Sequence, residues 1–337
     1  MEKKDLLGMA LAELEAEMPK LGGKKFSAKQ IMKWIYSKSA RDINLMTDLS
    51  VELRKNLAES WRVGSLETVN VKKSETANKY ILRCADGNRI ESVLMFFGTR
   101  NTICLSTQVG CCYGCEFCYT GKMGFKRHLT VSEILDQINL VRTEAGIKIN
   151  NIVFMGMGEP LANYDNTVKS IRLINASEGF NIGARHITLS TVGLADKLTK
   201  LIKEGLNINI SISLNAPNDD VRRRIMPAAM VFEMKELLDA SRKYQAATAA
   251  DVTLEYVMIK NVNDTIECLE EFIKKARGFK VNLITLNKSS ACEWEPSSEH
   301  RIHIWLKRMS EAKLIGTVRR SAGAELNAAC GQLGSGK

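Results

Sequence analysis

Proline is scarce in this chain of 337 residues, which holds only 5 Pro and 23 Gly. That composition excludes a collagen-like or low-complexity chain. No run of apolar residues approaches the roughly 18 that a membrane span requires. Residues 1–20 carry several glutamates and no uninterrupted apolar region, which excludes a secretory signal. We therefore expect a cytoplasmic protein that does not associate with membranes.

Cysteine is present in an odd number, 9, in a chain long enough for one large domain or a large and a small one. A disulfide scaffold does not suit a large, unsecreted protein, so metal binding or catalysis is the favoured use of these cysteines.

Basic residues outnumber acidic ones, with 48 Lys and Arg against 38 Asp and Glu and a formal net charge of +10. This excess is compatible with a role in solubility, and equally with an acidic partner such as nucleic acid. Six lysines crowd the N-terminal region and predict either a solvated helix face or a face that docks nucleic acid: Lys20, Lys24, Lys25, Lys29, Lys33 and Lys38.

The N-terminal region has helical patterns. Ser27 and Gln30 predict a capping box, followed by Ile31, Trp34 and Ile35 on one helical face. A second helix is predicted to begin at Ser50, with Leu53 and Leu57 directed inward.

From residue 71 the pattern changes to strands. Segments 79–83 and 89–97 flank Asp86 and Gly87, which predicts a β-hairpin. Six further strands are predicted at 103–106, 152–155, 186–190, 208–213, 252–257 and 281–286. Helices are predicted at 132–145, 167–175, 194–204, 234–244, 266–277 and 299–312. This alternation indicates a parallel sheet, either a partial barrel or a doubly wound sheet, with ligands at the carboxyl ends of the strands.

A dense group of cysteines follows the first of these strands. Cys112, Cys115 and Cys118 form C-x2-C-x2-C, whereas Cys111, Cys115 and Cys118 form C-x3-C-x2-C. Such close spacing suits an iron–sulfur cluster, and three ligands leave one iron open for a substrate or cofactor. A zinc site that takes a fourth ligand from elsewhere is the alternative.

The C-x3-C-x2-C spacing after a first strand resembles the radical S-adenosylmethionine (SAM) superfamily. The resemblance implies that Cys111, Cys115 and Cys118 hold a 4Fe–4S cluster whose open iron is chelated by SAM. An electron from the cluster then cleaves SAM to a deoxyadenosyl radical. Cys112 is left over and is expected to be structural.

A glycine-rich stretch, residues 156–161, follows the second strand of the alternation. Glycines at a strand end let the backbone approach a ligand closely, and Glu159 is placed to pair with a ligand ammonium. A tight turn without a ligand is the alternative, but the superfamily resemblance assigns this stretch to the amino group of the cofactor.

Further motifs extend the resemblance over nearly the whole chain. They are residues 30–36, 46–49, 104–111, 156–161, 189–193, 213–219 and 328–333. Together they resemble the RlmN/Cfr family of radical SAM RNA-adenine methyltransferases. The resemblance implies an α/β fold, a partial (βα)6 TIM-type barrel, with a small N-terminal helical accessory domain. We expect an RNA-binding accessory domain at 1–70, a β-hairpin extension at 71–97 and a radical SAM core at 98–337.

This resemblance also implies a mechanism that uses two SAM molecules per turnover. Cys330 accepts a methyl group from one SAM, and the radical from the other activates that methyl group to attack adenine. Cys104 then attacks the sulfur of Cys330, which releases the methylated base and leaves a disulfide. Glu91 is the implied proton acceptor, and an exposed strand carboxylate without a catalytic part is the alternative. The implied cofactor pocket comprises Gly158, Glu159, Ser190, Ser213, Leu214, Asn215 and Asn287.

The implied substrate is 23S rRNA at adenine 2503 of the peptidyl transferase centre, and possible further targets include adenine 37 of tRNA. Pro160 after Glu159 favours the carbon-2 (RlmN) branch over the carbon-8 (Cfr) branch. The basic residues at 222–224 and 319–320 fit an RNA partner. We expect a monomer that receives electrons from a flavodoxin-type or other donor.

The chain departs from the family pattern at three places. Asn215 replaces a usual His, Lys288 replaces a usual Pro, and residues 324–327 replace an Asp-rich stretch. Two alternatives follow: a zinc-dependent RNA-binding module without catalysis, and a radical SAM enzyme with a different substrate. Neither alternative needs both Cys104 and Cys330.

Overall fold

The computed structural model describes residues 3–227, 232–289, 292–319 and 321–334. Within these ranges, no helix is both long enough and apolar enough to cross a membrane.

The N-terminal region is mainly helical. Its elements are, in chain order, β1 (Lys4–Asp5), α1 (Leu11–Glu17), a 3-10 turn (Met18–Leu21), α2 (Ser27–Met32), a π turn (Lys33–Ser37), a 3-10 turn (Ile43–Leu45), α3 (Val51–Ser60) and β2 (Trp61–Arg62). Strands β1 and β2 pair in parallel and bring the two ends of this region together.

One of the two predicted helix starts is confirmed. The hydroxyl of Ser50 accepts a hydrogen bond from the backbone N–H of Leu53 at 3.2 Å, and Leu53 and Leu57 are buried. The capping box at Ser27 is wrong, because Phe26 occupies the N-cap position and Ser27 is the first helical residue. The N–H groups of Ser27 and Ala28 donate to the carbonyls of Lys24 and Lys25, so a helical turn begins before Ser27 and its hydroxyl is not at the N-cap position.

The rest of the chain alternates between strands and helices. The strands are β3 (Glu67–Lys73), β4 (Ala77–Arg83), β5 (Arg89–Phe97), β6 (Arg100–Cys104), β7 (Gln108–Gly110), β8 (Phe125–His128), β9 (Asn151–Phe154), β10 (Ile187–Thr191), β11 (Asn209–Ser213), β12 (Val252–Met258), β13 (Lys280–Thr285) and β14 (Ile315–Arg319). The helices are α4 (Tyr119–Lys122), α5 (Val131–Ala145), α6 (Tyr164–Asn175), α7 (Ala195–Ile202), α8 (Asp219–Ile225), α9 (Met234–Thr248), α10 (Ile266–Ala276) and α11 (Glu299–Glu311). Two short 3-10 turns lie at Ala184–His186 and Ala324–Leu326.

A ten-stranded sheet has the order β14-β13-β12-β11-β10-β9-β6-β5-β4-β3. Strands β6 and β9 to β14 are parallel neighbours, and β3 to β6 pair antiparallel. The predicted α/β fold with a parallel sheet is confirmed, as is the hairpin of β4 and β5. The parallel strands follow one another across the sheet in chain order, each next to the one before it and always on the same side. This is the strand order of a barrel and not of a doubly wound sheet.

The sequence did not predict strand β14. Within the described residues this strand pairs only with β13, and it lies at one end of the sheet and is partly exposed along its length. It therefore lacks the run of buried apolar residues by which the other parallel strands are recognised.

The N-terminal region is held to the barrel through Asp136 of α5. Its Oδ2 atom accepts hydrogen bonds from the backbone N–H groups of Ser65 and Leu66, both at 2.9 Å. The guanidinium of Arg41 lies 3.1 Å from the same oxygen. Burial raises the pKa of Asp136 to about 6.

Candidate active site

An open cavity lies at the carboxyl ends of the parallel strands, with about 850 Å³ of space that includes the solvent at its mouth. Ser190, Ser213, Val257 and Ile284 line it from four successive strands, β10 to β13. This is the edge of the sheet at which barrel proteins bind their ligands.

The cysteine loop forms one wall of this cavity, to which Cys111, Cys115 and Cys118 all contribute. The loop begins at Gly110, whose φ is +75° and where an added Cβ would overlap the carbonyl oxygen of Gly124. The N–H of Cys118 donates to the carbonyl of Cys115 at 3.0 Å, which turns the chain back on itself. The loop therefore brings the three predicted cluster ligands to one cavity.

These three cysteines fit the three-thiolate ligand set of an iron–sulfur cluster. Within the described ranges, no three His, Cys, Asp or Glu side chains converge as the ligands of one metal ion do. In a cluster each thiolate binds a different iron, so the ligands do not share one point. Burial raises the pKa of the Cys115 and Cys118 thiols, so thiolates here need the positive charge that cluster irons supply. Cys112, in contrast, is exposed.

The glycine-rich stretch 156–161 lies beside the cysteine loop. Gly156 has no room for a side chain, because an added Cβ would lie 2.6 Å from the carbonyl oxygen of Leu105. Gly158 has a φ of +97°, and an added Cβ there would lie 2.5 Å from the Cβ of Gln108. Both glycines line the cavity, so the backbone itself forms the surface that a ligand meets.

Glu159 lines the same cavity with a buried carboxylate. One oxygen accepts from the N–H of Leu161 at 2.9 Å and the other from the N–H of Val192 at 2.8 Å. Burial raises the pKa of Glu159 to about 7, and these two donors oppose the rise. Glu159 thus braces the loop, while its predicted pairing with a ligand ammonium stays a prediction.

Of the other predicted pocket residues, three line the cavity and two lie elsewhere. Ser190, Ser213 and Asn215 line the cavity, and the Asn215 side-chain oxygen also accepts from the N–H of Val257 at 2.9 Å. Leu214 is fully buried in the hydrophobic core. Asn287 instead contacts the C-terminal segment, because its amide donates to the carbonyl of Cys330 at 3.1 Å.

Cys104 and Cys330 line a second, narrower cavity that adjoins the first. Cys104 ends β6 and is buried, and burial raises the pKa of its thiol to about 12. Cys330 is exposed and lines both cavities. Both are free thiols, so the predicted disulfide is not formed in this structure.

Glu91 is buried on β5 rather than exposed, so the alternative of an exposed strand carboxylate is wrong. Its carboxylate pairs with the ammonium of Lys79 at 2.8 Å and accepts from the N–H of Gly334 at 2.7 Å. The sequence predicted neither contact, because alternation along a hairpin does not tell which of its two faces is covered.

Arg319, at the carboxyl end of β14, is a site residue that sequence reasoning missed as such. It lines both cavities together with Met155 and Cys330. Its guanidinium donates to the sulfur of Met155 at 3.2 Å and lies 3.9 Å from the carboxylate of Glu255. A prediction of strand β14 would have placed Arg319 at its carboxyl end, and residues that end parallel strands line the site.

The basic triplet at 222–224 is only partly exposed. Arg222 is fully buried, and its guanidinium donates to the carbonyl of Val192. Burial lowers the pKa of Arg222 to about 10. Arg223 and Arg224 are exposed, Arg319 faces the cavity, and Arg320 lies outside the described residues.

Two family models match the chain. The model described as the Radical SAM superfamily matches residues 105–276, which span the cysteine loop and the barrel strands β9 to β12. The model described as the ribosomal RNA large subunit methyltransferase N-terminal domain matches residues 4–63, which span the N-terminal helices. The first match defines the class as a radical SAM enzyme.

Relatives of known name match almost the full length. A probable dual-specificity RNA methyltransferase RlmN of Lachnoclostridium phytofermentans is 40% identical, over 98% of this chain and 94% of its own. The protein of the same name from Thermotoga neapolitana is 41% identical, over 98% of this chain and 97% of its own. The crystal structure of a radical SAM methyltransferase from Sphaerobacter thermophilus superimposes with a TM-score of 0.95 at 39% identity, over 98% and 99% of the two chains. The chain belongs to the RlmN family of radical SAM RNA methyltransferases.

Proposed function

We propose that this enzyme methylates carbon 2 of adenine 2503 in 23S rRNA, and of adenine 37 in tRNA, through a methyl group carried on Cys330. One observation carries the proposal: Cys330 and Cys104 line one cavity, and Cys330 also lines the cavity of the cysteine loop. A methyl-carrying sulfur and a resolving thiol need this arrangement, whereas a radical SAM enzyme of another type needs neither.

Cysteine-loop residues Cys111, Cys115 and Cys118 would hold a 4Fe–4S cluster, with SAM on its open iron against residues 156–161. When bound, this group supplies the radical that removes a hydrogen atom from the methyl group on Cys330. Gly156 and Gly158 line the cavity with backbone atoms, and a side chain at either position would collide with Leu105 or Gln108.

Cys330 is exposed, as a thiol that must accept a methyl group from a second molecule has to be. Cys104 is buried and its thiol is neutral at rest, because its pKa is about 12. To release the product, Cys104 loses its proton and attacks the sulfur of Cys330. The sulfur–carbon bond breaks with its electron pair going to the carbon, which takes up a proton to become the methyl group of the product. A disulfide forms at the same time, and a two-electron reductant restores both thiols.

Glu91 is the proposed acceptor of the proton that the adenine ring loses. The Glu91 carboxylate is buried beside the ammonium of Lys79, so it stays paired in a region that excludes most water. The residue after Glu159 is Pro160, which supports carbon 2 over carbon 8 of adenine as the target.

The N-terminal lysines support an RNA substrate. All six lysines named above, from Lys20 to Lys38, are exposed. Phe26 is 58% exposed among them and offers a ring on which a base can stack. We propose that this face binds rRNA and tRNA, that the reaction takes place in the cytoplasm, that a flavodoxin-type donor supplies electrons, and that one copy of the chain suffices.

Two of the three departures from the family pattern lie in or against the segment that carries Cys330. The carbonyl of Lys288 accepts from the side chain of Gln332 at 2.9 Å, and Glu325 accepts from the hydroxyl of Thr76 at 3.4 Å. Asn215 positions the backbone at Val257. We therefore propose that they preserve the reaction.

Nucleoside mass spectrometry tests the proposal. The reconstituted enzyme is incubated without oxygen with SAM, a reductant and unmethylated 23S rRNA fragment or tRNA. The expected product is 2-methyladenosine, and Cys330→Ser is the control without a methyl carrier. Formation of 8-methyladenosine would assign the carbon-8 reaction, and no product from a cluster-loaded enzyme would reject both RNA substrates.

A further inference from the structure

The segment that carries Cys330 lies across the β4–β5 hairpin. It begins at Gly323, where an added Cβ would lie 3.0 Å from the Cβ atoms of both Ala77 and Ala328. Ala328 and Leu333 are buried on either side of the exposed Cys330. The backbone on both sides of the cysteine is therefore fixed against the sheet.

A buried ion pair contacts this segment at two points, one on each side of Cys330. The side chains of Lys79 and Glu91 are 0% and 3% exposed and lie 2.8 Å apart. The ammonium of Lys79 donates to the carbonyl of Asn327 at 2.8 Å. The carboxylate oxygen of Glu91 that faces Lys79 accepts from the N–H of Gly334 at 2.7 Å.

The sheet register relates this pair to the cavity that contains the two sulfurs. Lys79 of β4 lies opposite Val93 of β5, and Glu91 lies two residues from Val93 on the same face. Val93 lines the cavity that contains Cys104 and Cys330. Glu91 is therefore carried by a strand that forms one wall of that cavity, and Lys79 by the strand paired with it.

We propose that Lys79 is a positioning residue for Cys330: together with Glu91 it clamps residues 327–334 onto the hairpin and sets the sulfur of Cys330 in the cavity. The proposal rests on the methyl-carrier role proposed above.

Local hydrogen exchange and thiol alkylation test the clamp without any turnover. Lys79→Met removes the ammonium that lies 2.8 Å from the buried Glu91 carboxylate and can prevent folding, so Lys79→Met/Glu91→Gln is made in parallel as a neutral pair of similar volume. Arg83→Met is the matched control, because Arg83 on the same strand forms an exposed ion pair with Glu67.

We expect peptides covering 323–334 to exchange at least about tenfold faster in the folded clamp variants, and Cys330 to react faster with iodoacetamide. Arg83→Met should match the wild type, and Lys79→Arg should restore slow exchange. Wild-type exchange and alkylation in a folded double variant would overturn the clamp.

The cluster-loaded enzyme separates positioning from general damage. Lys79→Met should lower the methyl occupancy of Cys330 at least about tenfold, while cluster absorbance and RNA-independent cleavage of SAM stay at the wild-type level. Wild-type methyl occupancy in this variant would overturn the positioning role. Absence of methyl from wild-type Cys330 would instead overturn the proposed function, and the exchange and alkylation results would still decide whether the clamp exists.

Discussion

The guanidinium of Arg319 lies 3.9 Å from the carboxylate of Glu255, and both side chains line the cavity next to Cys330. The Glu255 side chain is only 5% exposed. One of its oxygens accepts from the side chains of Ser211 and Asn282 at 3.1 Å, and the other has no hydrogen-bond partner in the described part of the chain. Arg319 thus supplies the opposite charge that a buried carboxylate needs.

Removal of that charge should destabilise the fold. We expect Arg319→Met to lower the free energy of unfolding by about 3 kcal/mol, because it leaves Glu255 buried without a cation. The Arg319→Met/Glu255→Gln double variant should recover most of the loss. Urea denaturation measures both, with Arg308→Met as the control for an exposed ion pair. A loss no larger in Arg319→Met than in the control would show that Glu255 does not depend on Arg319.

The cluster assignment predicts different results for two adjacent cysteines. Cys111→Ala should lose most of the brown, oxygen-sensitive absorbance that anaerobic reconstitution gives, because the cluster loses a thiolate ligand. Cys112→Ala should keep that absorbance, since its exposed side chain is outside the ligand set. Iron and sulfide content measure the same difference. The reverse result would assign the C-x2-C-x2-C spacing instead.

The resolving role of Cys104 predicts a trapped intermediate. Cys104→Ala should accumulate RNA joined covalently to Cys330, because no thiol remains in the cavity to attack the sulfur there. Denaturing electrophoresis with labelled RNA detects the adduct, and Cys84→Ala, which changes another buried cysteine, is the control. Turnover of Cys104→Ala at the wild-type rate without adduct would remove Cys104 from the mechanism.

Asp136 predicts a pH dependence of stability. In the folded state the Asp136 carboxyl keeps its proton up to about pH 6, whereas in the unfolded chain it releases the proton at about pH 4. The contribution of this residue is therefore largest below about pH 4 and declines as the pH rises to about 6. The difference in free energy of unfolding between the wild type and Asp136→Asn should fall across that window. The same difference between the wild type and Glu52→Gln, a control at an exposed site, should not change. A rise of the first difference with pH would contradict the prediction.

The fold could largely be predicted from the sequence because buried parallel strands form short apolar runs between amphipathic helices. The cysteine loop could be predicted because its ligands lie within a few residues of one another. β14 could not, because it is partly exposed along its length.

The long-range contacts could not be derived from local pattern at all. That Lys79 would be buried against Glu91 depends on the C-terminal segment covering the hairpin, and no period in β4 or β5 encodes that cover. The pairing of Cys104 with Cys330 came from the family resemblance, since two single cysteines far apart in sequence carry no spacing signal.

The methyl group on Cys330 is the central claim, and peptide mass spectrometry tests it most directly. The wild-type enzyme is reconstituted without oxygen, incubated with SAM and reductant in the absence of RNA, and digested. The account predicts one added methyl group, located on Cys330, in the wild type and in the control Cys268→Ala, and none in Cys330→Ala. A methyl group elsewhere in the chain, or none in a cluster-loaded wild type, would contradict it.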